Sequence, residues 1–156
     1  MKSLIRSREF WLAVVIAAMV LATNMRAPGF ASPDRLAGVF NDSAMLIILA
    51  LGQMAVILTR CIDLSVAANL ALTGMVVALL NTMFPALPIP VILLVAVTLG
   101  AFMGLVNGLL VWKLDIPPIV VTLGTMTIYR GIIFLISDGA WINAHEMSDA
   151  FKAFPR

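Results

Sequence analysis

Between Phe10 and Ile136 the chain offers five successive apolar runs and almost nothing charged inside them. That constrains the fold more than any motif does. In lipid every backbone N–H and C=O must be satisfied within the protein, which leaves helices or a closed barrel. The runs are about as long as the roughly 20 helical residues that cross a bilayer. Composition agrees. Of 156 residues, 62% are hydrophobic and 12% charged, against about 25% charged in soluble domains. The expected fold is therefore all-α, a polytopic transmembrane helix bundle of about five spans.

The first run covers Phe10 to Met25, behind Lys2, Arg6 and Arg8. A basic start and a short apolar core also describe a signal peptide. Arg26 and Pro28 stand where a small-residue cleavage site would be needed, so the run reads as a retained anchor helix. Ala27 to Asp42 contains Pro, Gly, Asp34 and Arg35 and reads as a loop or interfacial piece. The second run is Ser43–Thr59 and the third Ser65–Phe84, closed by Pro85, Pro88 and Pro90. The fourth, from Pro90 to Trp112, ends at Lys113 and Asp115. Pro117 and Pro118 open the fifth, Ile119–Ile136. A polar tail, 137–156, follows. Positive charge at the N-terminus favours a cytoplasmic 1–9 segment, with Arg60 and Lys113 on the same side and the tail on the other.

Arg60 and Asp63 interrupt this pattern, three residues apart between two apolar runs. A charged side chain at the middle of a bilayer costs about 2.5–3.5 kcal/mol on insertion scales. The segment Arg60–Ser65 is thus either a surface loop or a broken helix lining a polar path. Asp63 or Ser65 can cap the third span, since a short side-chain oxygen accepts from otherwise unpaired N–H groups. The charge assignment places the break near the inner face, where Arg60 reaches water or headgroups.

Polar residues within the spans mark a candidate path. They are Gln53, Asn69, Thr73, Asn107, Thr122, Thr125 and Tyr129. Thr122, Thr125 and Tyr129 share one helical face, and Asn69 and Thr73 stack one turn apart. Such groups offer hydrogen bonds without fixed charge to a neutral, polyhydroxylated solute, and the aromatic ring can stack on a sugar. Each also suits an ordinary interhelical hydrogen bond. Ala96, Gly100, Gly104 and Gly108 repeat every fourth residue on the fourth span, and Ala67, Ala71, Gly74 and Ala78 form a similar ridge on the third. Small residues at that spacing allow close helix approach. Arg130 either snorkels to the interface or pairs with a carboxylate, with Asp138 or Asp63 as candidates.

Several functions are excluded. The single cysteine, Cys61, and single histidine, His145, build neither a disulfide nor a metal site. No phosphate loop, zinc-protease motif or nucleophile elbow is present, so no catalytic residue, metal or cofactor is expected. No basic stripe suggests nucleic acid.

The stretch Ile57-Leu58-Thr59-Arg60-Cys61-Ile62-Asp63-Leu64-Ser65-Val66 resembles the ILTGGIDLSVG signature of permeases in the ribose, xylose and autoinducer-2 group of bacterial ABC importers. Ala71-Leu72-Thr73-Gly74 follows as that group's next block does. Gly104-Leu105-Val106-Asn107-Gly108 and Pro117 to Met126, with Tyr129-Arg130-Gly131, resemble two further blocks in the same order. The resemblance implies a multi-pass inner-membrane permease subunit that dimerises, driven by a cytoplasmic ABC ATPase and fed by a periplasmic sugar-binding protein. ATP would be used by the ATPase alone. The polar residues above would line the translocation path, and Asp63, Ser65, Arg130, Gly100, Gly104 and Gly108 would shape or gate it. Arg60 and Cys61 replace the group's paired glycines, and Ala67 its later glycine. The arginine hints at the rhamnose subgroup. The resemblance covers the N-terminal half of such a permease, so residues 1–156 are expected to be one half of a transmembrane domain, possessing no segment that matches the ATPase-coupling part. Two other classes fit the same residues: an ion-coupled secondary carrier, and a non-transport membrane scaffold.

Overall fold

The computed structural model describes residues 7–154; Lys2 and Arg6, which entered the charge argument, lie outside that range. The described chain is helical, in the order α1 (Arg8–Arg26), α2 (Pro33–Leu58), α3 (Val66–Met83), α4 (Ile89–Leu114) and α5 (Pro118–Ser137). A short 3-10 helix (Ala144–Glu146) and a final α6 (Asp149–Ala153) follow. All five long helices are apolar and long enough to cross a membrane, as the sequence led us to expect.

The chain divides into two compact units, Met1–Gly52 and Gln53–Arg156. In the first, the Ser7 hydroxyl accepts from Phe10 N–H and caps α1 (3.2 Å). The turn after α1 passes through Gly29 at φ 90°, and Ala31 N–H donates to Asn24 Oδ1 (3.1 Å), tying the turn back to the helix. The expected loop over Ala27–Asp42 is a correction: α2 begins at Pro33. The sequence was read by its Pro and Asp content, yet those residues are helix-start signals. Pro33 occupies the first helical position, where its missing N–H costs nothing, and Asp34 lies in the first turn beside the positive end of the dipole.

The second unit holds α3, which packs against both α4 and α5, while α4 touches α5. Its centre is Ala68, Leu72, Met103 and Tyr129, bordered by Val76, Leu99, Met126 and Ile133. The prolines set the helix boundaries. Pro117 is extended and Pro118 opens α5, while Pro88 precedes α4 and Pro90 sits in its first turn. The two ridges of small residues do not behave alike. Gly100 is where α3 comes close, since a Cβ there would stand 3.6 Å from Asn69 Oδ1. Gly74, Gly104 and Gly108 have open space instead, and Ala67 and Ala71 are exposed. Close packing along the full length of both ridges, as the spacing suggested, is therefore not found among the described residues. The central contacts are made instead by Ala68 and Leu72 of α3 and Met103 of α4, off the two ridges, and Ala78 is a buried member of its ridge.

Candidate functional site at the helix break

The break expected at Arg60–Ser65 is present, and its geometry follows from how α2 ends. Cys61 N–H donates to Val56 C=O (3.2 Å) and Arg60 N–H to Ile57 C=O (2.9 Å). This is the paired bonding of a Schellman motif, which needs a left-handed residue after the helix. Arg60 fills that position at φ 60°. Glycine would adopt it freely; an arginine does so at a cost. The glycine of the resembling signature at this position thus has a conformational reason. Arg60 itself is exposed.

Beyond the turn, Asp63 folds onto Ser65. Its Oδ1 accepts from Ser65 N–H (2.7 Å) and from Ser65 Oγ–H (2.6 Å). Ser65 sits at the N-cap of α3 and is 1% exposed, but its hydroxyl does not cap the helix. It is engaged by a neighbouring helix: Asn107 Nδ2 donates to Ser65 Oγ (2.8 Å). The expected N-cap bond is replaced by an Asx-type turn from Asp63 and a contact from α4, because a buried hydroxyl goes to the strongest available partner. Gln53, on the last turns of α2, donates Nε2–H to Asp63 C=O (2.9 Å). Thr122 on α5 donates to Pro118 C=O (2.9 Å) and lies 3.4 Å from Ile62 C=O. Four elements are thus tied to the same six-residue break.

Two amide oxygens here have no partner among the described residues: Gln53 Oε1 and Asn107 Oδ1. A buried unsatisfied acceptor costs about 1–3 kcal/mol. Asn107 is 6% exposed and lines a cavity of about 220 Å³ together with Asp63, Thr122, Gly104 and Gly108. Thr59 and Cys61 add polar atoms to its wall, and Val56, Val111 and Pro118 apolar ones. Among the described residues no cation lies within ion-pair distance of Asp63, and the ion pair is Lys152–Asp149 (2.7 Å).

The other sequence candidates fall elsewhere. Asn69 and Thr73 bond to each other (3.4 Å), and Asn69 Nδ2, in the first turn of α3, donates to Gly100 C=O (3.4 Å) near the middle of α4. Thr125 is buried and donates to Val121 C=O (3.1 Å). Tyr129 is buried, and its hydroxyl donates to Met103 C=O (3.1 Å). Arg130 is exposed and borders a second cavity of about 320 Å³ with Met75, Phe134 and Trp141. It pairs with neither Asp138 nor Asp63. Eight residues of helix separate Arg130 from Asp138 by about 12 Å along the axis, beyond the reach of an ion pair.

Sequence reasoning missed two features. Thr59 and Cys61 line the cavity although neither was expected to. At the opposite end of α3, Asn81 (1% exposed) and Ser148 form a reciprocal pair, Nδ2–H to Oγ (2.9 Å) and Ser148 N–H to Oδ1 (2.8 Å). Asn81 is a polar residue within the third span, but its partner is 67 residues away and carries no local signal.

The sequence matches, over residues 35–150, the family described as branched-chain amino acid transport system / permease component. It is 41% identical over 143 residues to the autoinducer 2 import system permease protein LsrC of Enterobacter sp. (strain 638), covering 91% of this chain and 41% of that protein. The protein of the same description from Photorhabdus luminescens is 44% identical over 105 residues, covering 67% of this chain and 31% of its own length. That from Escherichia coli O9:H4 (strain HS) is 36% identical over 143 residues, or 91% and 41% of the two chains. The chain therefore spans about two-fifths of the length of the curated relatives that match most of it. No solved structure matches it.

Proposed function

Because this chain belongs to the branched-chain amino acid transport system / permease component family, we propose that it forms part of the translocation path of an ATP-driven importer for a monosaccharide or a sugar-like solute. The observation that carries this reading is the helix break. It gathers Asp63, Ser65, Asn107 and Thr122 around a small cavity with an unpartnered amide oxygen in its wall. A scaffold would be expected to satisfy its polar groups within the bundle. The names of the relatives favour autoinducer 2 as the solute, whereas rhamnose is suggested by Arg60 alone. Gln53, Asn69, Thr73, Thr125 and Tyr129 would act further along the path or hold its walls. Gly100, Gly104, Gly108 and Arg130 would shape it.

In this reading the subunit catalyses nothing. A cytoplasmic ABC ATPase supplies the energy, a periplasmic binding protein delivers the solute, and a second permease subunit completes the path. The N-terminus is cytoplasmic in the bacterial inner membrane, so that the break opens inward and the Asn81–Ser148 pair lies outside.

The test is uptake of labelled autoinducer 2 and rhamnose by cells producing the permease that carries this segment, with its ATPase and binding protein. Asp63→Ala removes the acceptor that orients Ser65 and is expected to reduce uptake about tenfold or more, a transition-state or gating loss of roughly 1.4 kcal/mol. Undiminished uptake at normal membrane abundance would overturn the assignment of the break to the path. Uptake that persists without any ATPase would favour the secondary carrier.

A further inference from the structure

The hydroxyl and thiol donors around the cavity at the helix break are committed elsewhere, and the Asn107 amide spends one of its two. Both Ser65 donors go to Asp63 Oδ1. With its hydrogen given away, Ser65 Oγ can only accept, so the Asn107 amide must turn its NH₂ toward it. This fixes the orientation of Asn107 and leaves Oδ1 as its free atom. The Thr59 and Thr122 hydroxyls donate to Val56 C=O (2.7 Å) and Pro118 C=O (2.9 Å), within their own helical turns. The Cys61 thiol points to Thr59 C=O (3.6 Å). Besides the second Nδ2 hydrogen of Asn107, the side-chain groups that remain available are acceptors: Asn107 Oδ1, and the second oxygen of the Asp63 carboxylate, which takes no hydrogen bond from the described residues.

From this we infer that the cavity is a subsite for two neighbouring hydroxyl groups of one neutral polyol, one donated to Asn107 Oδ1 and one to Asp63. Ser65 is the positioning residue, because a single hydroxyl sets the direction of both acceptors. A neutral donor fits better than a metal cation. The Asp63 charge already has the Ser65 N–H and the positive end of α3 to face it, so the site lacks hydrogen-bond donors rather than a counter-charge. Apolar wall from Val56, Val111 and Pro118 suits the carbon face of such a solute. At about 220 Å³ the cavity is smaller than the roughly 300–1,000 Å³ of drug-sized sites and fits a single small ring. The nature of the solute rests on the importer reading; the acceptor pair does not.

The cavity carries its own reporter. Cys61 is the single cysteine of the chain and lines the same wall. The chain is placed in lipid nanodiscs, and alkylation of Cys61 by N-ethylmaleimide is followed by mass spectrometry with D-ribose, with cyclopentanol, and with sodium chloride against choline chloride. D-ribose at about twice its dissociation constant is expected to slow alkylation about threefold, as one-site occupancy requires. Cyclopentanol, a ring with one hydroxyl, is expected to protect far less. Asn107→Leu is expected to abolish protection, and Ser65→Ala to weaken it. Helix content by circular dichroism shows whether each variant is folded, and if Asn107→Leu is not, Ser65→Ala decides. Equal protection by cyclopentanol overturns the two-hydroxyl subsite, as does protection by sodium without D-ribose, protection that survives in the folded variants, or none at all. Alkylation needs neither ATPase nor transport. Lost uptake with intact protection would refute the importer reading alone, and normal uptake with an unprotected Cys61 would refute this subsite alone.

Discussion

At the scale of single residues, Arg60 and Asn107 show two kinds of local cost. Arg60 holds a left-handed backbone at φ 60° in the cap of α2, a conformation in which glycine has no Cβ to clash. Arg60→Gly is therefore expected to stabilise the bundle by about 1 kcal/mol. The check is the melting temperature in a mild detergent, and an unchanged or lower value would show that the Arg60 side chain compensates for its backbone. Asn107 carries the other cost, an amide oxygen without a donor. Its presence in the fourth span was plain in the sequence. That its NH₂ is held by Ser65, 42 positions earlier, was not. The Asp63-Leu64-Ser65 step looked like a helix cap, and a cap was the natural local reading. The hydroxyl is drawn away from that role because two stronger partners, a carboxylate and a buried amide, are brought up by tertiary packing.

At the scale of elements, the segment after α5 has more structure than its polar composition suggested. The Asn81–Ser148 pair fastens it to the end of α3, and the Ser148 hydroxyl accepts from Phe151 N–H (3.3 Å) to start α6. Asn81→Ala removes both bonds of the pair. It is expected to raise hydrogen exchange at least tenfold between Trp141 and Ala153, corresponding to about 1.4 kcal/mol, and to leave the centre of α3 unchanged. Uniform exchange in wild type and variant would mean that the pair is not what holds the segment. The same segment should respond to acid. The Asn143 N–H donates to the Glu146 carboxylate, which holds that carboxyl below the usual glutamate range, helped by the Asn143 side chain and His145. A depressed folded value means that this contribution is complete above the ordinary value and fades as pH falls through the folded one. Acidification below about pH 4 is thus expected to loosen the capping box and the 3-10 helix. Amide exchange at Asn143 across that range reads the change, and Glu146→Gln should remove its pH dependence.

For the whole molecule, the two small-residue ridges separate what packs inside this chain from what does not. Gly100 stands against Asn69, where an added Cβ would already be in contact at 3.6 Å and a longer side chain would crowd α3. Gly108 has nothing within 4 Å of an added Cβ. Gly100→Leu is expected to destabilise the bundle by about 1–3 kcal/mol through overpacking, while Gly108→Leu should change its melting temperature little. A reversal of that order would show that α3 and α4 meet along a different face. Five spans, their order and the place of the break were legible in the sequence. Apolar length, prolines at helix starts and a charged interruption are local properties, and lipid leaves a backbone few alternatives to the helix. The start of α2 was misread because proline and aspartate serve both loops and first turns, and only the path of the chain chooses between them. The cavity, the orientation of Asn107 and the Asn81–Ser148 pair were decided by tertiary structure alone. Each depends on side chains that approach from separate helices, and the direction of a hydrogen bond is set by which group holds its hydrogen most strongly, not by sequence spacing.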